Sequence, residues 1–326
     1  MNRRTRYFVI ASLLVLTVGV GAGLVAYYVG VPTAFAQQGP DELQLIPQNA
    51  TVVAYADVHE VMVSNLRERI RQAMPDLPDG QREFEEHTGI NIETDVDRIV
   101  AAVVPTQEGS LDVHRSSLFV VSGRFDQMKI EALMREHGAT EETYAGRRLL
   151  LAPHAGDAMS LAFVEPGLVA VGGSALVRGA IDRANGGASV RANDEIMGLV
   201  RSLERGNVWA VGRFDALTSQ ANLPERVASQ LPPINWFAVS GRVNGGLLGE
   251  IRVQTRDEES ATQFRDVLRG VLALGKLQAD AHPQLELALR ALQLGGTGTT
   301  VSLSFELPAE LIDLLASQAR AHELGQ

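Results

Sequence analysis

Apolar and polar positions change their spacing several times along this chain, and each change marks an element. Tyr7 to Val31 is an uncharged stretch of 25 residues behind Arg3, Arg4 and Arg6. As a helix it spans about 37 Å, against roughly 30 Å of bilayer hydrocarbon. Residues 37–48 (QQGPDELQLIPQ) are polar with two prolines and read as a tether. Thr51–Val58 is rich in β-branched residues and predicts a strand, with a helical stretch from Val61 to Met74 behind it. Arg98–Val104 and Ser117–Phe125 are the next strands. Asp126 is placed to cap a helix that runs to His137, with Gly138 as its left-handed stop. Strands follow near Arg147–Ala152, Met159–Glu165 and Leu168–Val171, then a helix that Ser174 can cap.

A connector helix, Asn193 to Arg205, leads to a second and shorter cycle. Its strands are Asn207–Phe214, Asn235–Val243 and Leu248–Thr255, and Asp257 caps a long helix. Phe264, Val267, Leu268, Val271 and Leu272 fall on one face of that helix. Thr299–Leu307 is the last strand, and Pro308 opens a C-terminal helix carrying Leu311, Leu314 and Leu315. The expected fold is α+β: an N-terminal transmembrane helix, then two related modules of mainly antiparallel sheet packed by helices. The boundaries are 1–36 for the anchor, 37–48 for the tether, 49–192 for the first module, 193–206 for the connector and 207–326 for the second.

The two modules list strand, helix, two strands and a capped helix in the same order. Val53-Ala54-Tyr55-Ala56-Asp57 matches Trp209-Ala210-Val211-Gly212-Arg213, and Val121–Asp126 matches Gln254–Asp257. Gly-Arg-Phe-Asp occurs at 123–126 and again at 212–215, across that alignment, and reads as one local solution used twice, a strand end followed by an N-cap aspartate.

Charge fixes the compartment. Three arginines before the apolar stretch hold the N-terminus in the cytoplasm, so residues 37–326 face the other side of the membrane. Ala34-Phe35-Ala36 fits a signal-peptidase site, and cleavage there would release a secreted or periplasmic protein; the stretch is longer than the ~7–15 residues of a secretory signal, which favours a retained anchor. Arg3-Arg4 is only a weak twin-arginine signal, and Gly19 with Gly23 forms a GxxxG pair. The exported part keeps 26 of the 29 Lys+Arg and all 39 Asp+Glu, hence a formal charge of −13. That argues against nucleic acid as a partner. With no cysteine there is no disulfide and no thiolate metal site, so stability rests on an apolar core.

At Ile46-Pro47 through Asp57, at Gly89-Ile90 with Asp95-Val96-Asp97, and at Tyr144-Ala145-Gly146, the chain resembles a group of uncharacterised membrane-anchored exported bacterial proteins. Their shared pattern is a Leu-Pro-x-x-Ala/Thr strand, a Gly-Ile-Asp…Asp-Val-Asp stretch and a Tyr-x-Gly before a strand. The likeness covers about residues 45–185 and departs from the pattern at Ile46 and Asn91. It implies an α+β extracytoplasmic module and carries no activity with it.

Each candidate for chemistry lacks a part. His59-Glu60 begins like a zincin helix, but Val63 stands where the second ligand belongs. Asn91, Glu93, Asp95 and Asp97 alternate like calcium-loop ligands, yet Val96 and Ala102 replace the turn glycine and the closing carboxylate. Gly172-Gly173-Ser174 resembles a nucleophile elbow without its last glycine, since Leu176 stands there. Gly295-Gly296-Thr297-Gly298 precedes a strand and has no lysine after it. The histidines (59, 87, 114, 137, 154, 282, 322) are scattered, and Glu141-Glu142 and Glu258-Glu259 suit helix starts or solvated loops. No catalytic, cofactor-binding or metal-binding residue is assigned and no cofactor is expected. The expected function is a non-enzymatic binding or interaction protein of the bacterial envelope, held to the cytoplasmic membrane by its N-terminal helix and meeting an envelope protein partner. The alternatives are a carrier of a hydrophobic small molecule, held against the Phe264–Leu277 or Leu311–Leu315 helix, and a hydrolase whose site forms only in three dimensions.

Overall fold

The computed structural model describes residues 39–65, 90–105, 113–136, 138–154, 157–203, 206–214, 233–279 and 289–308. The expected anchor, the C-terminal helix after Pro308 and most of the Val61–Met74 helix lie outside these residues. Among the described residues no helix is long and apolar enough to cross a membrane.

Among the described residues, twelve strands form one open antiparallel sheet. In chain order they are β1 (Val52–Asp57), β2 (Val96–Val103), β3 (Ser117–Gly123), β4 (Thr140–Tyr144), β5 (Arg147–His154), β6 (Asp157–Glu165), β7 (Leu168–Gly173), β8 (Val208–Arg213), β9 (Ile234–Val243), β10 (Gly246–Thr255), β11 (Leu292–Gly295) and β12 (Thr300–Pro308). The helices are α1 (Val58–Met62), α2 (Ile92–Asp95), α3 (Val113–Ser116), α4 (Gln127–Glu136), α5 (Ser174–Ala184), α6 (Asp194–Ser202) and α7 (Glu258–Ala279). Across the sheet the order is β11-β12-β10-β9-β8-β1-β2-β3-β7-β6-β5-β4. The fold is therefore α+β, as expected. The two modules do not carry separate sheets, because β1 and β8 pair edge to edge and make the halves continuous.

Side chains alternate between the two faces of this sheet. On the face that carries Tyr55, the strands of the first half present Leu149, Ala162, Val120 and Val100 to the main core. Helices α5 and α6 and the 3-10 turns Asp41–Leu45 and Val190–Ala192 pack there. On the face that carries Ala54, α4 covers one end through Ile130, which packs with Leu150, Leu161, Phe163 and Val169.

The capping predictions are met locally. Asp126 accepts the Lys129 N–H at 3.0 Å, and Asp257 accepts that of Ser260 at 2.8 Å. Gly138 takes φ 89° while Ala139 N–H reaches the Met134 carbonyl at 2.9 Å, closing α4. Asn193 caps α6 by accepting from Ile196 N–H. Of the two strand-end caps expected from the repeated Gly-Arg-Phe-Asp, Asp126 forms its cap and Asp215 lies outside the described residues, while the two Gly-Arg pairs are held alike. Arg124 N–H donates to Asp95 O at 2.7 Å and Arg213 N–H to Thr51 O at 2.9 Å. A Cβ on the preceding glycine would sit 2.0 Å and 2.5 Å from those same carbonyls.

Three readings change. The tether is shorter than residues 37–48, because Leu43, Leu45 and Ile46 are buried in the main core and Arg183 Nε holds Leu45 O at 2.7 Å. Glu141 and Glu142 lie in edge strand β4 rather than at a helix start, and pair with Arg135 and Arg178. Gly173, not Ser174, is the N-cap residue of α5, and Ser174 is its first residue. Pro308 is the last residue of β12, opposite Gly246, and the helix expected after it lies outside the described residues.

Candidate functional site

Strand registers place one row of residues across the face that carries Ala54: Leu161, Val171, Phe119, Ala101, Ala54, Ala210, Val239, Ile251, Leu303 and Leu294. Every member is apolar. Ten strands at about 4.8 Å spacing make this band about 43 Å long. Its centre is not sealed: Phe119 is 40% exposed, and Ala54, Ala101 and Ala210 are half-buried. Flanking rows add Val52, Val103, Phe237 and Val253 on the same side. The corresponding row on the other face reads Leu149, Ala162, Ala170, Val120, Val100 and Tyr55, then Trp209, Ser240, Glu250, Ser304 and Gln293. That face turns polar beyond β8, where an open cavity of about 190 Å³ is lined by Ser240, Arg242, Glu250, Gln293 and Glu306. The contrast is the point. One face changes to polar once its helices end, while the other stays apolar to the edge of the sheet.

Helix α7 adds a second apolar surface. Its predicted face divides: Phe264, Leu268 and Leu272 are half-buried, whereas Val267, Val271 and Leu274 are exposed. The helix contacts β10, β11 and β12, and Arg265 Nη2 donates to the Gly298 and Thr300 carbonyls.

Ionisable groups gather where the two halves meet. Alternation puts Asp57 on the same face as Val53 and Tyr55, directly opposite Arg98 of β2. Asp57 is 3% exposed; Tyr55 Oη donates to its Oδ2 at 3.4 Å, and its Oδ1 has no hydrogen-bond partner among the described residues. Arg98 Nε instead pairs with Glu42 Oε1 of the first 3-10 turn at 2.9 Å and donates to Ser122 Oγ at 3.3 Å. Buried Glu42 likewise has an unpaired oxygen, Oε2. Burial is the main force raising the Asp57 carboxyl to about 7; Arg98 opposes it, as does the Tyr55 hydrogen bond, while Glu60 and Asp97 add to the rise. The Tyr55 phenol is pushed up by burial and then by Asp57, and its ring stacks on Trp209 at 5.5 Å between centroids.

Beside it, Asn207 is 1% exposed and fully engaged. Its Nδ2 donates to Glu60 Oε2 at 2.9 Å and to Val243 O at 2.7 Å, while its Oδ1 accepts from Val243 N–H at 2.7 Å. This residue pins the entry of β8 to α1 and to the end of β9.

The motifs considered earlier are dispersed. His59 is exposed on α1, and Glu60 is spent on Asn207. Asn91 caps α2, accepting from Glu93 and Thr94 N–H, while Asp95 Oδ2 accepts the Asn91 N–H at 2.9 Å. Gly172 and Gly173 let β7 pass close to the carbonyls of Ser117 and Arg115. Gly296 and Gly298 turn β11 into β12 at positive φ. His87, His137, His282 and His322 fall outside the described residues. Among the described residues no three His, Asp or Glu side chains converge as metal ligands. Sequence reading passed over Asp57 and the apolar row. Asp57 could have been flagged as an acid on the inward alternation of an apolar strand. The row could have been suspected from β7, which is apolar on both alternations.

No protein-family model matches the chain, and neither does any curated protein. Among solved structures, crystal form III of TP0453 superposes with a TM-score of 0.51 at 13% identity, covering 86% of this chain and 99% of that one. Crystal form IV of TP0453 gives a TM-score of 0.48 at 13% identity, covering 86% and 97%. At that identity the first likeness concerns the fold alone, and it supports an α+β architecture with an open sheet.

Proposed function

We propose that this chain is a non-enzymatic binding module of the bacterial envelope, tethered to the cytoplasmic membrane by residues 7–31 with its folded part outside the cytoplasm. The observation that carries the binding role is the uninterrupted apolar row centred on Ala54 and Ala210, with Phe119 exposed beside them. An apolar row whose centre is open to solvent, on a surface as acidic as this one, is a recognition surface. The arginines before the apolar stretch, and the resemblance to membrane-anchored exported proteins, support the location.

Of the two binding modes, the row favours a hydrophobic ligand over a protein partner. It offers hydrocarbon contact along a line and few polar groups to fix an orientation. A protein-facing surface would be expected to mix in hydrogen-bonding groups. Binding of a lipophilic fluorescent probe by the full-length protein in mild detergent tests this. Phe119→Glu should abolish probe binding and leave the circular dichroism unchanged; equal probe binding by both proteins rules the row out. Protease added to spheroplasts should digest the folded part, and complete protection refutes the topology.

The reading includes an internal duplication. The first half runs β1, β2, β3, α4, then β6 and β7, with β7 beside β3. The second runs β8, β9, β10, α7, then β11 and β12, with β12 beside β10. The hairpin β4–β5 is the extra piece. Ala54 lies opposite Ala210, and the same offset pairs Val53 with Trp209 and Tyr55 with Val211 in the alignment of the two halves. A twofold axis between β1 and β8 accounts for both facts. Superposing residues 52–123 on 208–255 should bring β1, β2 and β3 onto β8, β9 and β10; misregistered strands would reject the duplication.

A further inference from the structure

We propose that Asp57, Arg98 and Glu42 form a proton-operated latch that holds the 3-10 turn Asp41–Leu45 against the centre of the sheet. The geometry is two buried carboxylates around one guanidinium. Arg98 is committed to Glu42 at 2.9 Å, although Asp57 is its directly opposed neighbour across β1 and β2. Both acids keep one oxygen that is buried and unpaired, Glu42 Oε2 and Asp57 Oδ1. With Asp57 protonated, the cluster holds one anion and one cation, and the turn that carries Glu42 is held by a charge-assisted contact. With Asp57 ionised, two anions compete for Arg98. The competition is relieved when Arg98 turns to Asp57 and Glu42 leaves for water, which lifts the turn.

Every group that faces Asp57 pushes the same way or is outnumbered. Glu60 comes from α1 and Asp97 from β2, both acidic; Glu42 stands on the turn itself, near Tyr55; Tyr55 donates a single hydrogen bond; and Arg98 is the one cation among the described residues. Asn207, the neutral neighbour from β8, donates to Glu60. The turn is also held by Leu43, Leu45 and Ile46, which are buried. The latch therefore changes how often the turn opens and leaves the docked form dominant.

Linkage gives the direction. The docked state raises the Asp57 carboxyl to about 7, and the opened state returns it toward its ordinary 3.8. Docking is then favoured below the lower value, weakens as the pH rises between the two, and levels off above 7. Between pH 5 and 7.5 the opening equilibrium should increase by up to about 50- to 100-fold, the limit set by full return of the carboxyl to its ordinary value.

Hydrogen exchange on the full-length protein in detergent reads this directly. Leu43 N–H is bonded to Pro40 O at 3.1 Å and Ile46 N–H to Leu43 O at 3.2 Å, so peptides covering residues 40–50 report the docked turn. After correction for intrinsic rates, their protection should fall by up to that factor from pH 5 to 7.5, with peptides from β9 and β10 as the internal control. Asp57→Asn should flatten the dependence. Protection independent of pH in the parent protein, or a slope that survives Asp57→Asn, overturns the latch. A second variant guards against a misfolded Asp57→Asn. Tyr55→Phe removes the hydrogen bond that favours the ionised form, and it should move the transition to higher pH. Trp209 fluorescence in a Trp236→Phe background should follow the same midpoint, because Trp209 stacks on Tyr55. A midpoint unmoved by Tyr55→Phe equally counts against the proposal.

Discussion

Asn207→Asp is the sharpest test of how the two halves are joined. The change is nearly isosteric, keeps Oδ1 as the acceptor for Val243 N–H, and removes the two donations from Nδ2, to Glu60 at 2.9 Å and to Val243 O at 2.7 Å. Losing a typical hydrogen bond costs about 1 kcal/mol, and leaving a buried carbonyl unpaired costs about 1–3 kcal/mol. The new carboxylate would also face the carboxylate of Glu60, a like-charge contact that favours the protonated form. A carboxyl raised in this way contributes fully only below its ordinary value near 4, and its contribution is lost as the pH rises through the shifted one. The expected destabilisation is therefore about 3–4 kcal/mol at pH 7 and about 1–2 kcal/mol at pH 4, where a neutral acid can still donate one bond. Urea unfolding followed by Trp209 and Trp236 suits the question, because those residues lie on β8 and β9, the two strands that Asn207 ties together. A loss below about 1 kcal/mol at pH 7, or the same loss at both pH values, would refute the idea that Asn207 pins β8 to α1 and β9.

Leu43→Ala should cost about 2–5 kcal/mol in the same assay, since the side chain is fully buried; a solvated tether residue would cost almost nothing. Gly123→Ala should destabilise by about 3 kcal/mol, because its Cβ would fall 2.0 Å from Asp95 O; a neutral result would mean that α2 yields easily. Asp257→Ala should fray the first turn of α7, seen as faster amide exchange at residues 258–261. In the parent protein that cap should weaken as the pH falls, because the Ser260 N–H holds the Asp257 carboxyl below its ordinary range.

Much of the fold was legible where one signal decides. Strands such as β1 and β8 announce themselves by runs of Val, Ala and aromatic residues, and Asp126, Asp257 and Gly138 mark the helix ends they form. Strand β4 was missed because Thr140–Tyr144 carries two glutamates, which a sheet edge tolerates and a central strand does not. The Asp41–Leu45 turn was missed because two prolines and three polar side chains outweigh Leu43 and Leu45 in any local count. The single continuous sheet was out of reach for another reason. β1 and β8 are about 150 residues apart in sequence, and nothing local in either strand states which edge it will meet. The same holds for the candidate sites. Each residue of the Ala54 row is an ordinary strand residue, and only register makes a band of them. Asp57 is an ordinary strand-end acid until Glu42 and Arg98 arrive from two other parts of the chain.

The seam between β1 and β8 also sets a schedule. Synthesis at ~5–20 residues per second puts roughly 8–30 s between the completion of β1 and the appearance of β8. Throughout that interval, the first half of the sheet can form while Val52–Asp57 shows bare N–H and C=O groups along one side. An unpaired apolar strand is a template for any other strand nearby, including the β1 of a second nascent molecule. The Ala54–Ala210 pairing makes that error easy, because the strand that belongs in the gap is so like the strand that bounds it. Chains released too early, or truncated before residue 208, should dimerise through β1.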